Sequence, residues 1–244
     1  MFKKIVICFM ILFLSGCHVA QLTTLYNDET SIEEDGLRVD ASHHPITGVY
    51  QKYTSKMRLL EECHYVDGLV DGICKSYNKK GKIALLSQYR KGKLDGKTIS
   101  YYDNGREQNV YNYVKGKRSG GQLSYFKNGT LMQKGSYVRG KKHGIFEEYY
   151  KTGAVKNSMV YKKGKLHGAA RFYSKDNHLL NYTEYVNGLR DGPANSYYPN
   201  EKPKILAFRK KDKLNGVVKE FDKKGNLIKL STYEDDQEIE SVKF

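Results

Sequence analysis

Seven histidines and four cysteines are the side chains of this 244-residue chain suited to metal ligation, nucleophilic attack or proton transfer near neutral pH. None falls into a working constellation. His143 and His167 each stand one residue before a glycine, at a position that elsewhere carries Asp, Ser or Asn, which makes them turn residues. His43 and His44 have no cysteine or carboxylate at ligand spacing. Ser119 sits at another such turn. There is no phosphate-binding loop, no nucleophile elbow and no pair of catalytic carboxylates. The sequence therefore predicts no catalytic residue, no metal site and no cofactor. Cys63 and Cys74 flank a glycine turn at Gly68, which places them on neighbouring strands, same face, directly or diagonally opposite. A disulfide between them is expected, provided the chain reaches an oxidising compartment.

The N-terminus bears on that condition. Lys3 and Lys4 precede a ten-residue apolar run from Ile5 to Leu14, too short to cross a bilayer as a helix. Leu14-Ser15-Gly16-Cys17 follows and resembles a bacterial lipobox, in which the chain is cut before the cysteine and the cysteine is lipidated. The resemblance implies a signal peptide over 1–16, with Cys8 lost in it, and a lipid anchor at Cys17. His18 rather than Asp follows the cysteine, which implies the outer membrane in a diderm source. Cleavage leaves 40 basic against 27 acidic residues, a charge of +13. Residues 17–44 read as a lipidated N-terminus and acidic linker, with Asp28, Glu29, Glu33, Glu34, Asp35 and Asp40.

What must position everything else is a repeat. Gly92-Lys93-Leu94-Asp95-Gly96 recurs at intervals of 24 residues, as Gly68 to Gly72, Gly116 to Gly120, Gly140 to Gly144, Gly164 to Gly168 and Gly188 to Gly192, with a decayed copy at Asp212 to Gly216. Five residues past each second glycine stand Tyr53, Tyr77, Tyr101, Tyr125, Tyr149, Tyr173, Tyr197 and Phe221. Seventeen past it stand Tyr65, Tyr89, Tyr113, Tyr137, Tyr161, Tyr185 and Tyr233, with Arg209 breaking the column. Each period holds two glycine turns and two alternating segments of strand length, hence one β-hairpin. The predicted fold is all-β: about eight hairpins forming an elongated antiparallel meander over 45–236, a single twisted or curled sheet, then a C-terminal tail over 237–244. Sixteen strands at ~4.8 Å spacing give a sheet roughly 75 Å long. Its core is expected to be one stripe of tyrosines and aliphatics on one face.

The pattern Tyr-x-x-Gly-Lys-x-x-Gly, followed by an aromatic and a second glycine turn, resembles the MORN repeat, and more closely its bacterial antitoxin-like variant. Met57, Asp212 and Asp236 depart from it where glycine is usual. The resemblance implies a binding protein: an immunity or antitoxin-like protein that occludes a toxin or effector, encoded by a neighbouring gene. A structural or surface-association module on anionic lipid or cell-wall polymer is the alternative, since lysines crowd the turns. Nucleic acid is not expected as a partner of an envelope protein; end-to-end self-association through the open sheet is.

A column shared by all copies cannot discriminate between ligands. The candidates for partner binding are therefore aromatics that vary between copies: Tyr102, Phe126, Tyr150 and Tyr198, each beside a column tyrosine and placed by alternation on the opposite face, with Tyr111 and Tyr182 at otherwise polar strand positions.

Overall fold

A computed structural model describes residues 23–26, 30–33 and 36–244. The segment expected to be a signal peptide and Cys17, the expected lipidation site, lie outside the described residues.

The strands are β1 (Thr23–Tyr26), β2 (Thr30–Ile32), β3 (Arg38–Asp40), β4 (Gly48–Tyr53), β5 (Leu59–Val66), β6 (Leu69–Tyr77), β7 (Ile83–Arg90) and β8 (Lys93–Tyr101). They continue as β9 (Glu107–Val114), β10 (Lys117–Arg118), β11 (Gly120–Tyr125), β12 (Leu131–Val138), β13 (Lys141–Lys142), β14 (Gly144–Tyr149), β15 (Val155–Lys162) and β16 (Lys165–Tyr173). The last are β17 (Leu179–Val186), β18 (Leu189–Tyr197), β19 (Pro203–Leu206), β20 (Phe208–Lys210), β21 (Lys213–Leu214), β22 (Gly216–Phe221), β23 (Leu227–Glu234) and β24 (Gln237–Lys243). From β4 to β24 the chain is an antiparallel meander in one open sheet, as predicted. Short pairs such as β10 and β11, or β13 and β14, are one strand interrupted just before a repeat glycine.

Two kinds of turn make the meander. The first is a two-residue loop, as at Arg139-Gly140 between the paired residues Val138 and Lys141. Both loop residues have positive φ, 50° and 82°. This left-handed pair matches the twist of the flanking strands. Asp212 and Asp236, which break the glycine pattern, hold the same conformation at φ 74° and 71°. The second turn closes at Gly81 and its equivalents, and Met57, Asn177 and Glu201 adopt the same positive φ there. The departures from glycine thus change chemistry without changing backbone.

Successive two-residue turns are tied together. Gly116 N donates to Leu94 O at 2.8 Å, Gly140 N to Arg118 O at 2.7 Å, and Gly164 N to Lys142 O at 2.8 Å. Asp212 N donates to Arg190 O and Asp236 N to Leu214 O in the same way. The exact 24-residue spacing is what keeps this ladder in register.

The single tyrosine stripe expected from the sequence is corrected to two, on opposite faces. The repeat glycine pairs with the Tyr65-type column, as Gly144 with Tyr161. The Tyr149-type column lies five residues past that glycine, an odd step, so it points the other way. The Tyr65-type face is the better packed one. Phe146 is 4% exposed there and makes edge contacts with Tyr137 at 5.5 Å and Tyr161 at 5.1 Å. Gly135 lies beneath the Phe146 ring.

Two segments placed outside the array also join the structure. In the expected linker, β2 pairs with β3, Val39 is 2% exposed, and Arg38 N donates to Gly68 O. The Arg38 guanidinium stacks 3.8 Å over the Tyr50 ring, closing a small core of Ile46, Tyr50, Cys63 and Tyr65. β1 runs parallel beside β4. The expected C-terminal tail is β24, paired with β23 and fully exposed on its outer side.

A Cβ at Gly135 would overlap the Phe146 ring, whereas one at Gly121 meets nothing within 4 Å. Gly135→Ala is predicted to destabilise by about 1–3 kcal/mol through overpacking, and Gly121→Ala to leave stability within about 0.5 kcal/mol. Urea unfolding of both variants checks this.

Candidate binding surfaces

The six candidate aromatics do not converge. Tyr102, Tyr150 and Tyr198 begin the second kind of turn, at the edge of the sheet, not on a face. Each spends its hydroxyl on the next repeat: Tyr102 donates to Tyr125 O at 2.7 Å, Tyr150 to Tyr173 O at 2.8 Å, and Tyr198 to Phe221 O at 2.9 Å. They are half-buried clips between copies. Phe126 occupies the equivalent position without a hydroxyl. Tyr111 lies on the packed face, under the Arg118 guanidinium at 4.2 Å, donating to Asn109 Oδ1 at 3.2 Å. Tyr182 lies on the opposite face, 5.2 Å from the Arg171 guanidinium, with its hydroxyl donating to Glu184.

Sequence reasoning passed over a polar ladder on the packed face. Alternation puts Ser100, Asn109, Ser124, Gln133, Glu148 and Asn157 side by side, each opposite the next across the strands. Asn109 Nδ2 donates to Ser100 Oγ at 3.0 Å and Ser124 Oγ donates to Asn109 Oδ1 at 2.8 Å. Gln122 Nε2 donates to Gln133 Oε1 at 2.9 Å; Gln133 Nε2 and Asn157 Nδ2 donate to Glu148 at 3.4 and 2.9 Å. Beside this ladder, Thr98 Oγ1 and Gln122 Oε1 are covered and lack a partner among the described residues. Further along, a groove of about 360 Å³ follows the same face, with Thr183, Ala194, Ser196 and Tyr233 among its lining. The available signal was the recurrence of amides and hydroxyls four residues from the column tyrosine or the repeat glycine, where a sheet core would carry aliphatics.

The opposite face carries ion pairs along its central stripe. Lys75 Nζ lies 2.9 Å from Glu62, which also accepts from Gln51. The Lys75 hydrogen bond holds the Glu62 carboxyl below its usual range. Lys134 Nζ lies 2.6 Å from Glu147, and Tyr149 OH donates to the same carboxylate at 2.6 Å.

The cysteines stand where predicted: Cys63 and Cys74 are directly paired across β5 and β6 with Cα atoms 4.0 Å apart, joined as a disulfide. Glu61 is adjacent, and these three residues are the one group of metal-type ligands among the described residues. With the sulfurs bonded to each other, no thiolate is left to hold an ion. His43 and His44 do meet carboxylates, contrary to the spacing argument. His43 Nδ1 is 2.6 Å from Glu33 and His44 Nδ1 is 3.9 Å from Asp40. The loop between β3 and Pro45 folds back, a path no ligand-spacing rule anticipates. His143 and His167 are turn residues, and His167 Nδ1 accepts from Asn187 N at 3.3 Å. Asp71 accepts from Lys91 N in the equivalent way. Among the described residues no helix is long and apolar enough to cross a membrane.

A sheet of hairpins that repeat one backbone at a 24-residue period defines a repeat protein. The family model of the MORN repeat variant matches residues 120–139, 142–163 and 214–235, so these stretches are similar to that repeat. The other copies share their period, turns and register. No curated protein matches the chain.

The Glu147 carboxyl is raised by burial, but hydrogen bonds from Lys134 and Tyr149 outweigh this and leave it below its usual value. A carboxylate so lowered stabilises the fold above its unfolded pKa, and that contribution disappears as pH falls through the folded value. Glu147→Gln is therefore predicted to lower the melting temperature at pH 7 and to reduce its fall between about pH 5 and pH 3. Lys134 is 48% exposed, so the loss stays below about 1 kcal/mol. Melting curves across that range check it; an unchanged pH slope in the variant contradicts it.

Proposed function

We propose that the protein is an envelope-anchored lipoprotein that binds a protein partner and acts by occlusion, most specifically as an immunity or antitoxin-like protein. The observation that carries the reading is a fixed backbone bearing side chains that differ from copy to copy. The turn ladder, with tyrosine clips at Tyr102, Tyr150 and Tyr198, holds the hairpins in place. The residues between them vary: Thr98, Tyr111 and Gln122 in one stretch of the packed face become Ala170, Thr183 and Ala194 further along. Such a surface can be matched to one macromolecular contour. Its imidazole–carboxylate pairs, His43 with Glu33 and His178 with Glu201, lie in turns and loops with no hydroxyl or thiol nucleophile hydrogen-bonded to the imidazole among the described residues, so binding rather than catalysis is the reading it supports.

The lipid anchor at Cys17 and an outer-membrane location in a diderm source are part of the proposal and rest on the N-terminal motif alone. Association with anionic lipid or cell-wall polymer is the second reading, favoured by turn lysines that lack an acidic neighbour. Contact between copies would use the outer edge of β24, which pairs on its other side with β23.

The test is co-purification of the full chain with the product of the neighbouring gene, together with deletion of the chain. The proposal predicts a complex, and a deletion strain that becomes sensitive to that product. A deletion strain fully resistant to it contradicts the immunity reading.

A further inference from the structure

One row of charge is neither structural nor explained by the faces. The hairpin turns 115–119, 139–143 and 163–167 read Lys-Gly-Lys-Arg-Ser, Arg-Gly-Lys-Lys-His and Lys-Gly-Lys-Leu-His. Where other copies place Asp71, Asp95 and Asp191 at the last of these positions, these three place Ser119, His143 and His167. The turns are therefore free of acid. Lys115, Lys117, Arg139, Lys141, Lys163 and Lys165 form no ion pair among the described residues.

The flanking turns differ. Beyond the ridge on one side, Arg190 pairs with Asp212 at 2.9 Å and Lys213 with Asp235 at 3.5 Å, and Arg209 lies 4.0 Å from Asp236. On the other side stand Asp67, Asp71 and Asp95. The positive stretch thus has two ends. The turn-to-turn hydrogen bonds of Gly140 and Gly164 fix its spacing. Three turns, each two strands apart, span about 20 Å, the length of about six extended residues.

Apolar groups lie among the cations. Val114 and Val138 are each 51% exposed at the hairpin ends. A groove of about 440 Å³ opens between adjacent turns, lined by Val138, Arg139, Lys141, His143 and Lys163.

We infer that the three acid-free turns form a docking ridge for an extended, acidic segment of a partner polypeptide, with alternate apolar side chains lying on the valines. The inference rests on the protein-binding reading above and names the surface and the partner's chemistry. Charge complementarity is its basis. A polypeptide suits the ridge better than a membrane surface does. A flat anionic surface would engage lysine turns along the whole array, and it gives no role to the aspartates that bound these three or to the exposed valines between the lysines.

The probe is a fluorescent twelve-residue peptide alternating Glu and Val, with a Gln-Val peptide as its neutral counterpart, titrated by anisotropy at low ionic strength. One variant combines Lys115→Ala, Arg139→Ala, Lys141→Ala and Lys163→Ala, all exposed turn positions. A second combines Lys79→Ala, Lys127→Ala, Lys151→Ala and Lys175→Ala, exposed positions on the other turn row, with the same change in net charge. The ridge variant is expected to bind the acidic peptide at least about tenfold more weakly, and the second variant to change affinity less than about twofold. Equal loss in both variants, no binding of the acidic peptide by the unmodified chain, or equal binding of the neutral peptide overturns the inference. So does binding to phosphatidylglycerol vesicles that the ridge variant loses while its peptide affinity is unchanged. If the neighbouring gene's product is captured equally by the unmodified chain and the ridge variant, the ridge is wrong and the binding reading stands. If the unmodified chain captures nothing but the peptide result holds, the ridge stands and the immunity reading falls.

Discussion

At the tip of each hairpin one backbone amide is handed to the neighbouring repeat: Gly140 N to Arg118 O, Gly164 N to Lys142 O, and so along the array. A one-layer sheet needs such bonds. Few of its side chains are buried, and the buried apolar set is short, from Val39 and Ile46 at one end to Val218 near the other. Neither face is covered by a second layer among the described residues, so stability is shared between strand ladders, turn-to-turn bonds and contacts such as Phe146 on Gly135. Energetics of this kind are nearly one-dimensional, each copy leaning on its neighbours. The Arg38–Tyr50 stack and the Cys63–Cys74 bridge close one end, where a repeat lacks a preceding partner.

That interaction also explains the exact period. An inserted residue would displace both the two-residue turn and the Tyr150-type clip from their acceptors in the next copy. It explains too why glycine is replaceable at Asp212. The position requires positive φ and a free N–H, and Asp can supply both. The aspartate adds a carboxylate that accepts from Arg190 N and Nε, so the end copies trade backbone ease for charge neutralisation.

Fold class, the 24-residue period, the places of the two turns in each copy and the facing positions of Cys63 and Cys74 were legible in the sequence because each follows from spacing. The division of the tyrosines between two faces was legible in principle, since five is an odd step from the paired glycine, yet composition alone suggests a single aromatic core. The ends were not legible. β3 and β24 lack the glycine turns that mark a copy, and their pairing depends on contacts with Gly68 and β23 that no periodicity reports. The candidate site was the least legible part. Tyr102, Tyr150 and Tyr198 vary between copies, as interface residues would, but their hydroxyls serve the next repeat. Conversely, Asn109, Gln133 and Glu148 look unremarkable one at a time and form a ladder only when alternation stacks them. Variation between copies therefore marks function only after the inter-repeat bonds have been subtracted, and what then remains is the polar ladder, the groove beyond it and the acid-free turns.

The most direct test is amide hydrogen exchange, by NMR, at the turn residues Gly116, Gly140, Gly164 and Asp212. If the turn ladder holds the array, these amides exchange slowly, with protection at Asp212 comparable to that at Gly164 despite the change of residue. Exchange at the rate of free, solvated turns at all four positions would contradict it, and with it the fixed spacing on which every binding surface described above depends.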